Sequence, residues 1–529
     1  MIPQPEDPTS LLDDSRVSSA RLASLAARVP ATGSETLTVR APAVDEPLGA
    51  MPVCTADDVQ AAVERAGDAE TDWGRTPVDE RAAVVDRLAD LVLAHRAPLL
   101  DLLQLETGKS RRHGVEETLE VPLTCTYYAE RGPEFLADEE RDGVLAGVST
   151  ARVTYDPVGV VGVISPWNYP VSLALAEVVP ALVAGNAVVL KPDEKTPFVA
   201  LALAELFEQA GLPEGLFTVV TGDPETVSSA LIDGVDHVAF TGSTATGRIV
   251  AERAGRNLVE CSLELGGNNP LLVLDDADVA MAARGATQGA FANAGQLCLA
   301  PERIYVDESR YEAFLDAFVG ATRDLTLGTG LNYADDVGSL VDADQLARVE
   351  AHVESAVADG ASVLTGGRHR PDVGPFCYEP TVLTDVDPDS TVAREETFGP
   401  VVSVTPVPDA AAAVAAANDS PYGLNASVWT GDRERGERVA REMDCGTVCV
   451  NDAYSVGWGA VDAPMGGFDD SGIGRRHGPE GIRRFLESRT IATSRVGPLG
   501  DPPGVPTGVA VRGLVALTRL QRAVQRWVR

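Results

Sequence analysis

The sequence predicts an α/β protein of two domains with a cleft between them, and two patterns carry this reading. From about residue 155 to 265, short β-branched runs alternate with amphipathic helices, as in βαβ units on a parallel sheet. A second α/β region follows, entered through LELGGNNPLLVL (263–274) and running to about 450. A chain of 529 residues with 44% apolar residues can fill two or three domain cores.

Residues 1–35, rich in Pro, Ser, Asp and Ala, read as a loosely packed tail, and a helical stretch follows from about 55 to 110. VGVVGVIS (158–165) is a buried strand ended by PWNYP. NAVVLKP (186–192) is a second strand, followed by the helix TPFVALALAELFEQAG, and LFTVVTG and DHVAFTG continue the series. Beyond residue 274, the helix AMAARGATQGAF leads into the loop NAGQLCLAPER. No repeat with a period of about 20–50 residues is evident, which excludes solenoids and propellers.

The 43 basic and 79 acidic residues give a net charge of −36, and Lys109, Lys191 and Lys195 are the only lysines. Such a surface repels nucleic acid and anionic lipid, so neither is expected as a partner of the main body. Acid excess with arginine in place of lysine reads as adaptation to concentrated salt, where screening blunts self-repulsion. The acids are interspersed through periodic apolar segments, which argues against disorder. Cysteines 54, 125, 261, 298, 377, 445 and 449 are odd in number and scattered, with no CxxC pair and no histidine cluster for a metal. A reducing cytoplasm is the expected compartment. The start MIPQPEDPTSLLDDS lacks a secretory pattern, and no apolar run is long enough to span a membrane.

Parallel sheets bind nucleotides at the C-terminal ends of their strands, where a glycine turn lets helix amides meet a pyrophosphate. DHVAFTGSTATGR (236–248) fits: Gly242 permits the tight strand exit, Ser243 can bond phosphate, and Gly247 lets the helix start approach closely. The same segment alone would equally be an ordinary βα loop. In KPDE, Lys191 at a strand end and Glu194 three residues on suit a ribose, and Glu194 would repel a 2′-phosphate, favouring NAD over NADP. A chain that has lost nearly every lysine retains one here, as a compact point charge requires.

Cys298 lies on a loop with Gly and Gln beside it, whereas a core cysteine usually sits in an apolar run. By itself it reads as a buried structural thiol. Glu264 in LELGG and Asn168 in PWNYP stand where an acyl-transfer enzyme places a base and an oxyanion donor. Together they describe attack of a thiolate on an aldehyde, an oxyanion held by the Asn168 amide and the Cys298 backbone N–H, and hydrolysis of the resulting thioester by water activated at Glu264.

In order, PWNYP, LKPDEKTP, FTGSTATG, LELGGNNP, NAGQLC and EETFGP resemble the signature blocks of the aldehyde dehydrogenase superfamily, over roughly residues 50–497. The resemblance implies that Cys298, Glu264 and Asn168 are catalytic. It also implies that Ile164, Ser165, Trp167, Lys191, Glu194, Gly242 and Ser243 contact the cofactor, and that Glu396, with Phe398 beside it, holds the nicotinamide ribose. It implies a Rossmann-like cofactor domain (36–130 and 155–263), a catalytic domain (264–470) and a bridging element (131–154 and 485–497) through which dimers or tetramers form. Asn268 departs from the lysine of most relatives. The implied activity is oxidation of an aldehyde to an acid with NAD or NADP. A coenzyme-A-acylating semialdehyde dehydrogenase or a cofactor-free thioesterase is a rival reading, the first opposed by Glu264.

The likeness extends, through GRRHGPEG and the C-terminal tail, to a branch labelled succinate-semialdehyde dehydrogenase. The arginines by which members of that specificity hold the substrate carboxylate are here Ala176 and Ala292. Either Arg131 or Arg303 substitutes, or the substrate is uncharged, since an unpaired carboxylate in an apolar pocket costs several kcal/mol. Small residues at 176 and 292, with Met465, suggest a roomy site for longer or aromatic aldehydes.

Residues 504–529 carry Arg512, Arg519, Arg522, Arg526 and Arg529 and no acid. The arginines share one helical face, with Val511, Leu514, Val515, Val524 and Trp527 expected largely opposite. Such a basic amphipathic helix either docks on the acidic body of its own oligomer, the favoured expectation, or lies on a membrane surface.

Overall fold

The computed structural model describes residues 11–144, 148–495 and 504–528. Its centre is a six-stranded sheet in the order Gly472–Ile473, Glu260–Glu264, His237–Thr241, Val160–Ser165, Ala187–Pro192, Phe217–Val219. All pairs are parallel except the first, in which Gly472 lies opposite Glu264. The strands Val160–Ser165 and Ala187–Pro192 are buried at every position, which is why they read as continuous apolar runs without alternation. The helix Ser172–Ala184 packs behind them, also buried throughout, and stops at Gly185, whose φ of 105° suits a residue lacking Cβ.

A seven-stranded sheet runs in the order Ser362–Thr365, Thr381–Thr384, Val401–Val407, Pro301–Asp307, Asn269–Val273, Asn425–Trp429, Thr447–Val450. It is parallel apart from its first pair. LELGGNNPLLVL divides between the sheets: Glu260–Glu264 ends in the first and Asn269–Val273 begins in the middle of the second. Glu264 therefore sits where the chain crosses over. Ser471 ties the crossing, donating to the Gly266 carbonyl at 2.7 Å and accepting from Gly423 N at 3.0 Å.

A third sheet pairs Leu486–Ser494 with Ser149–Pro157, and the latter with Glu139–Asp142, all antiparallel. Against the expected bridging element (131–154 and 485–497), residues 131–135 belong to the long helix Arg111–Phe135, and the middle strand extends to Pro157. Residues 145–147, 496 and 497 of that expected element lie outside the described residues.

The expectation of a loose N-terminal tail fails over the residues described. Helix Ser19–Ala26 is capped by Ser18 and buries Leu22 and Leu25 in the main core. Arg16 grips the buried Asp101 carboxylate with its backbone N and guanidinium at 2.8–3.1 Å. Composition suggested a loosely packed tail, but leucines at i and i+3 give one apolar face, enough to dock a short helix. Residues 1–10 lie outside the described part.

The C-terminal segment forms the helix Thr507–Val528, and no side chain described in it is buried. At 100° per residue Arg512, Arg519, Arg522 and Arg526 cluster as expected. The apolar face differs from the expectation. It comprises Val509, Leu517, Leu520 and Val524, together with Leu514 at its margin, whereas Val511 and Val515 fall among the arginines. Arg529 lies outside the described residues. No described helix is long and apolar enough to cross a membrane.

Candidate active site

Asn168 follows the strand Val160–Ser165 on a buried loop. Its Nδ2 donates one hydrogen to the Gln296 carbonyl at 3.1 Å, which leaves the second amide hydrogen free. Its main-chain oxygen accepts from Lys109 Nζ at 2.6 Å and from Asn293 Nδ2 at 3.1 Å. Lys109, wholly buried, also pairs with Glu117 and stands 4.0 Å from the centre of the Tyr169 ring. Glu117 in turn accepts from Val171 N and Ser172 N at 2.9 and 3.3 Å, at the start of the helix Ser172–Ala184. One buried ion pair thus fixes the loop carrying Asn168 and the helix behind it.

Cys298 follows a tight turn in which Asn293, Ala294 and Gly295 all have positive φ (49°, 56° and 72°). A Cβ on Gly295 would stand 1.9 Å from the Gly399 carbonyl oxygen, so only glycine fits this close approach. Asn269 Nδ2 holds the Cys298 carbonyl at 2.7 Å. Burial pushes the thiol up to about 12; the Arg476 charge opposes this, and Glu396 and Glu264 add to it.

Trp167, Asn168, Gly242, Cys298, Glu396 and Phe398 line one cavity of about 400 Å³. It shares Trp167, Gly242 and Ser243 with a second, of about 750 Å³, that takes in Ile164, Ser165, Lys191 and Glu194. All the predicted site residues except Glu264 therefore line one continuous run of space. Lys191 Nζ meets Glu194 Oε1 at 3.1 Å at one end. Ser243 caps the helix Thr244–Asn257 in the middle, accepting from Thr246 N at 3.3 Å. The Ser165 hydroxyl is buried without a partner. A cation beside a carboxylate, a helix N-terminus and an unspent hydroxyl suit an elongated ligand carrying riboses and phosphates. Gly247 has a different role from the expected one: its Cβ would strike Leu265 at 2.4 Å, so it admits a neighbouring side chain.

Glu396 accepts from Gly267 N at 2.9 Å, and burial raises its carboxyl to about 7. Glu302, which sequence reasoning missed, holds the following turn by accepting from Thr397 N at 2.7 Å and Phe398 N at 2.9 Å. The Phe398 ring meets Trp167 edge-on at 5.5 Å. Asn268 ties the same loop through the Ala393 and Glu395 carbonyls at 3.3 and 3.1 Å.

Glu264 is buried, and its carboxyl is raised to about 7 by desolvation, against the lowering charge of Arg476. Arg476, also missed, is wholly enclosed, meeting Thr241 Oγ1 at 2.9 Å, Glu177 at 3.3 Å and Glu264 at 4.0 Å. Its signal in the sequence is weak: an arginine in GRRHG reads as surface charge in a chain this rich in arginine. Lys109 had the signal that singled out Lys191, a lysine retained where nearly all others are gone.

Cys298 also packs on a cluster that includes Tyr169, Leu173, Leu299, Tyr454, Met465 and Trp458, of which Leu173 lines the cavity as well. Ala292 belongs to it; Ala176 lies within the helix Ser172–Ala184 and is not among its members. Glu116 accepts from Tyr454 Oη at 3.0 Å and from Tyr169 Oη at 3.4 Å. Neither arginine considered for a substrate carboxylate is available. Arg303 is bound to the Asn268 and Ala417 carbonyls at 2.9–3.1 Å, and Arg131 is a partly exposed partner of Glu134.

Residues 29–491 match the model of the aldehyde dehydrogenase family. A Mycobacterium tuberculosis protein named "Putative succinate-semialdehyde dehydrogenase [NADP(+)] 2" is 48% identical over 499 residues, 94% of this chain and 96% of that one. A phenylacetaldehyde dehydrogenase of Pseudomonas fluorescens is 39% identical over 477 residues, 88% of this chain and 93% of its own. Among solved structures, betaine aldehyde dehydrogenase of Staphylococcus aureus in complex with NAD+ superposes with a TM-score of 0.85 at 31% identity, covering 91% of this chain and 97% of that one. An NADP-dependent enzyme of E. coli gives 0.84 at 36% identity, covering 88% and 96%. These likenesses do not bear out the salt adaptation read from composition. This chain belongs to the aldehyde dehydrogenase family.

Proposed function

We propose that this oxidoreductase, which oxidises aldehydes with NAD or NADP, works through Cys298, Asn168 and Glu264 on apolar, including aromatic, aldehydes. The observation that carries the reading is that Cys298 lines the long cavity and packs against the aromatic cluster. Cofactor, when bound along Lys191, Glu194, Ser243 and Glu396, supplies the hydride acceptor. The Cys298 sulfur bonds to the aldehyde carbon. A thiol held up at about 12 must yield its proton as it attacks, and Glu264, whose charge it feels, is the buried carboxylate suited to take it. The free Asn168 amide hydrogen and the Cys298 backbone N–H hold the oxyanion, a contact of about 3 kcal/mol per donor. After the thioester forms, Glu264 takes a proton from water as it attacks the acyl carbon, releasing the acid and restoring the thiol.

The substrate assignment rests on charge. A carboxylated aldehyde needs a cation on the acyl side, and the nearby cations are committed: Lys109 to Glu117, Arg476 to Glu177 and Thr241. Glu116 adds negative charge there. Succinate semialdehyde is the second reading, favoured by the name of the 48% identical relative. Glu194 supports NAD over NADP, because its carboxylate beside Lys191 opposes a 2′-phosphate. The three-stranded sheet leaves Leu486–Ser494 exposed along eight of nine residues, which supports a dimer or tetramer formed there. Seven free cysteines support a cytoplasmic, reducing setting.

The deciding experiment follows reduced-cofactor absorbance with phenylacetaldehyde, hexanal and succinate semialdehyde, for the native protein and Cys298→Ala. Turnover of the apolar aldehydes at a kcat/KM at least about tenfold higher, lost in the variant, is expected. A preference for succinate semialdehyde overturns the apolar assignment, and activity remaining in Cys298→Ala overturns the nucleophile.

A further inference from the structure

The helix Thr507–Val528 takes no part in the site described above. Its apolar residues are left in solvent: Val509 is 50% exposed, Leu517 47%, Leu520 62% and Val524 52%. Arg512, Arg519, Arg522 and Arg526 lie on the opposite side, and the segment from 504 onward contains no acid. At about 1.5 Å per residue, Val509 to Val524 give an apolar stripe about 22 Å long opposite a row of guanidiniums.

Two surfaces could cover such a stripe, a protein groove with acidic walls or an anionic lipid surface. The nearest acidic protein surface is the body to which the helix is joined, since the last described strand ends at Ser494 and the helix begins at Thr507. So short a connection holds that body at an effective concentration in the millimolar range, far above that of any second copy. Yet among the described residues no hydrogen bond or ion pair joins an arginine of the helix to the body, although the whole chain carries −36.

We infer that the helix Thr507–Val528 is an interfacial anchor that lays Val509, Leu517, Leu520 and Val524 into an anionic phospholipid surface. The arginine side chains reach back to the headgroups, their stems covering apolar surface while their heads stay hydrated. Each cation near such a surface adds a favourable factor of about five. The acidic body is repelled, which opposes binding, and salt screens the arginine attraction, so that binding weakens as salt rises. The body thereby stands off the surface on the connecting segment, and a membrane-dissolved apolar aldehyde becomes available to it. That last consequence rests on the substrate class proposed above, whereas the anchoring does not.

The test is flotation of the full-length protein with vesicles of phosphatidylcholine alone or with one third phosphatidylglycerol, in low and high salt. Far-UV circular dichroism of each form controls for folding, and dehydrogenase activity is read in each fraction. The expected result is flotation with the anionic vesicles in low salt only, lost on truncation after residue 503. Arg519→Glu/Arg522→Glu is expected to lower partitioning by about a hundredfold or more, and Leu517→Ser/Leu520→Ser by at least about tenfold, each with unchanged turnover of a soluble aldehyde. Absence of flotation, or equal flotation of the truncated chain, overturns the proposal. If truncation instead lowers the oligomer mass while vesicles capture nothing, a second copy covers the stripe. Loss of aldehyde turnover in all forms would count against the proposed function and leave the flotation result standing.

Discussion

Arg476 Nε and Glu264 Oε1 lie 4.0 Å apart, both buried and neither with a hydrogen-bond partner. A buried orphan donor facing a buried orphan acceptor is costly at rest, and the relationship makes the charge of Arg476 a direct control on the proposed base. Glu264 acts when deprotonated, so turnover should rise with pH through about 7. Arg476 lowers the Glu264 carboxyl, so Arg476→Gln should move this limb to higher pH. Since Glu264 serves both thiol attack and thioester hydrolysis, formation of reduced cofactor in the first turnover and steady-state turnover should both slow at neutral pH. A pH profile unchanged in the variant would remove Arg476 from this role.

The thiol offers a separate readout. With Cys298 held up at about 12 by burial, alkylation by iodoacetamide should be slow at neutral pH and should accelerate as pH rises. Since Arg476 lowers the thiol, Arg476→Gln should be alkylated more slowly still. Mass spectrometry of the Cys298 peptide measures both rates.

Lys109→Met should destabilise the protein by about 3–5 kcal/mol, because it leaves the Glu117 charge buried and unpaired. Lys109→Met/Glu117→Gln should recover most of the stability but not the activity, since the Asn168 carbonyl still lacks its 2.6 Å partner. Denaturant midpoints and kcat of the two variants separate these effects.

Glu302→Ala strips acceptors from Thr397 N and Phe398 N, each costing about 1–3 kcal/mol if left buried and unpaired. The loop carrying Glu396 should loosen, raising KM for the cofactor about tenfold with a smaller change in KM for the aldehyde. At the other end of the cavity, Glu194→Gln should shift the ratio of kcat/KM for NADP over NAD upward by about tenfold, as expected for removing one carboxylate beside a 2′-phosphate. Initial-rate kinetics with each cofactor check both.

Local pattern made the sheet order of events legible. The continuous apolar runs at 160–165 and 187–192 are strands buried on both faces, and the glycines after His237–Thr241 mark the turn into a helix. Cys298, Asn168 and Glu396, on loops, and Lys191, at the end of the strand Ala187–Pro192, were legible because each lies in one of the ordered blocks of the sequence. The N-terminal helix was not legible: its burial depends on a partner surface distant in sequence, with Arg21 reaching Glu205.

By itself, therefore, the sequence determined the α/β class, the crossing at Glu264, the motif residues and the existence of a basic amphipathic helix, because strand burial, turn chemistry and helical period are local properties. Only the tertiary structure decided which charges are buried together. Lys109 with Glu117, and Arg476 with Glu177 and Glu264, come from segments far apart in the chain. Their ionisation, and so the chemistry at Cys298, depends on the low-dielectric interior that encloses them, which no local pattern encodes.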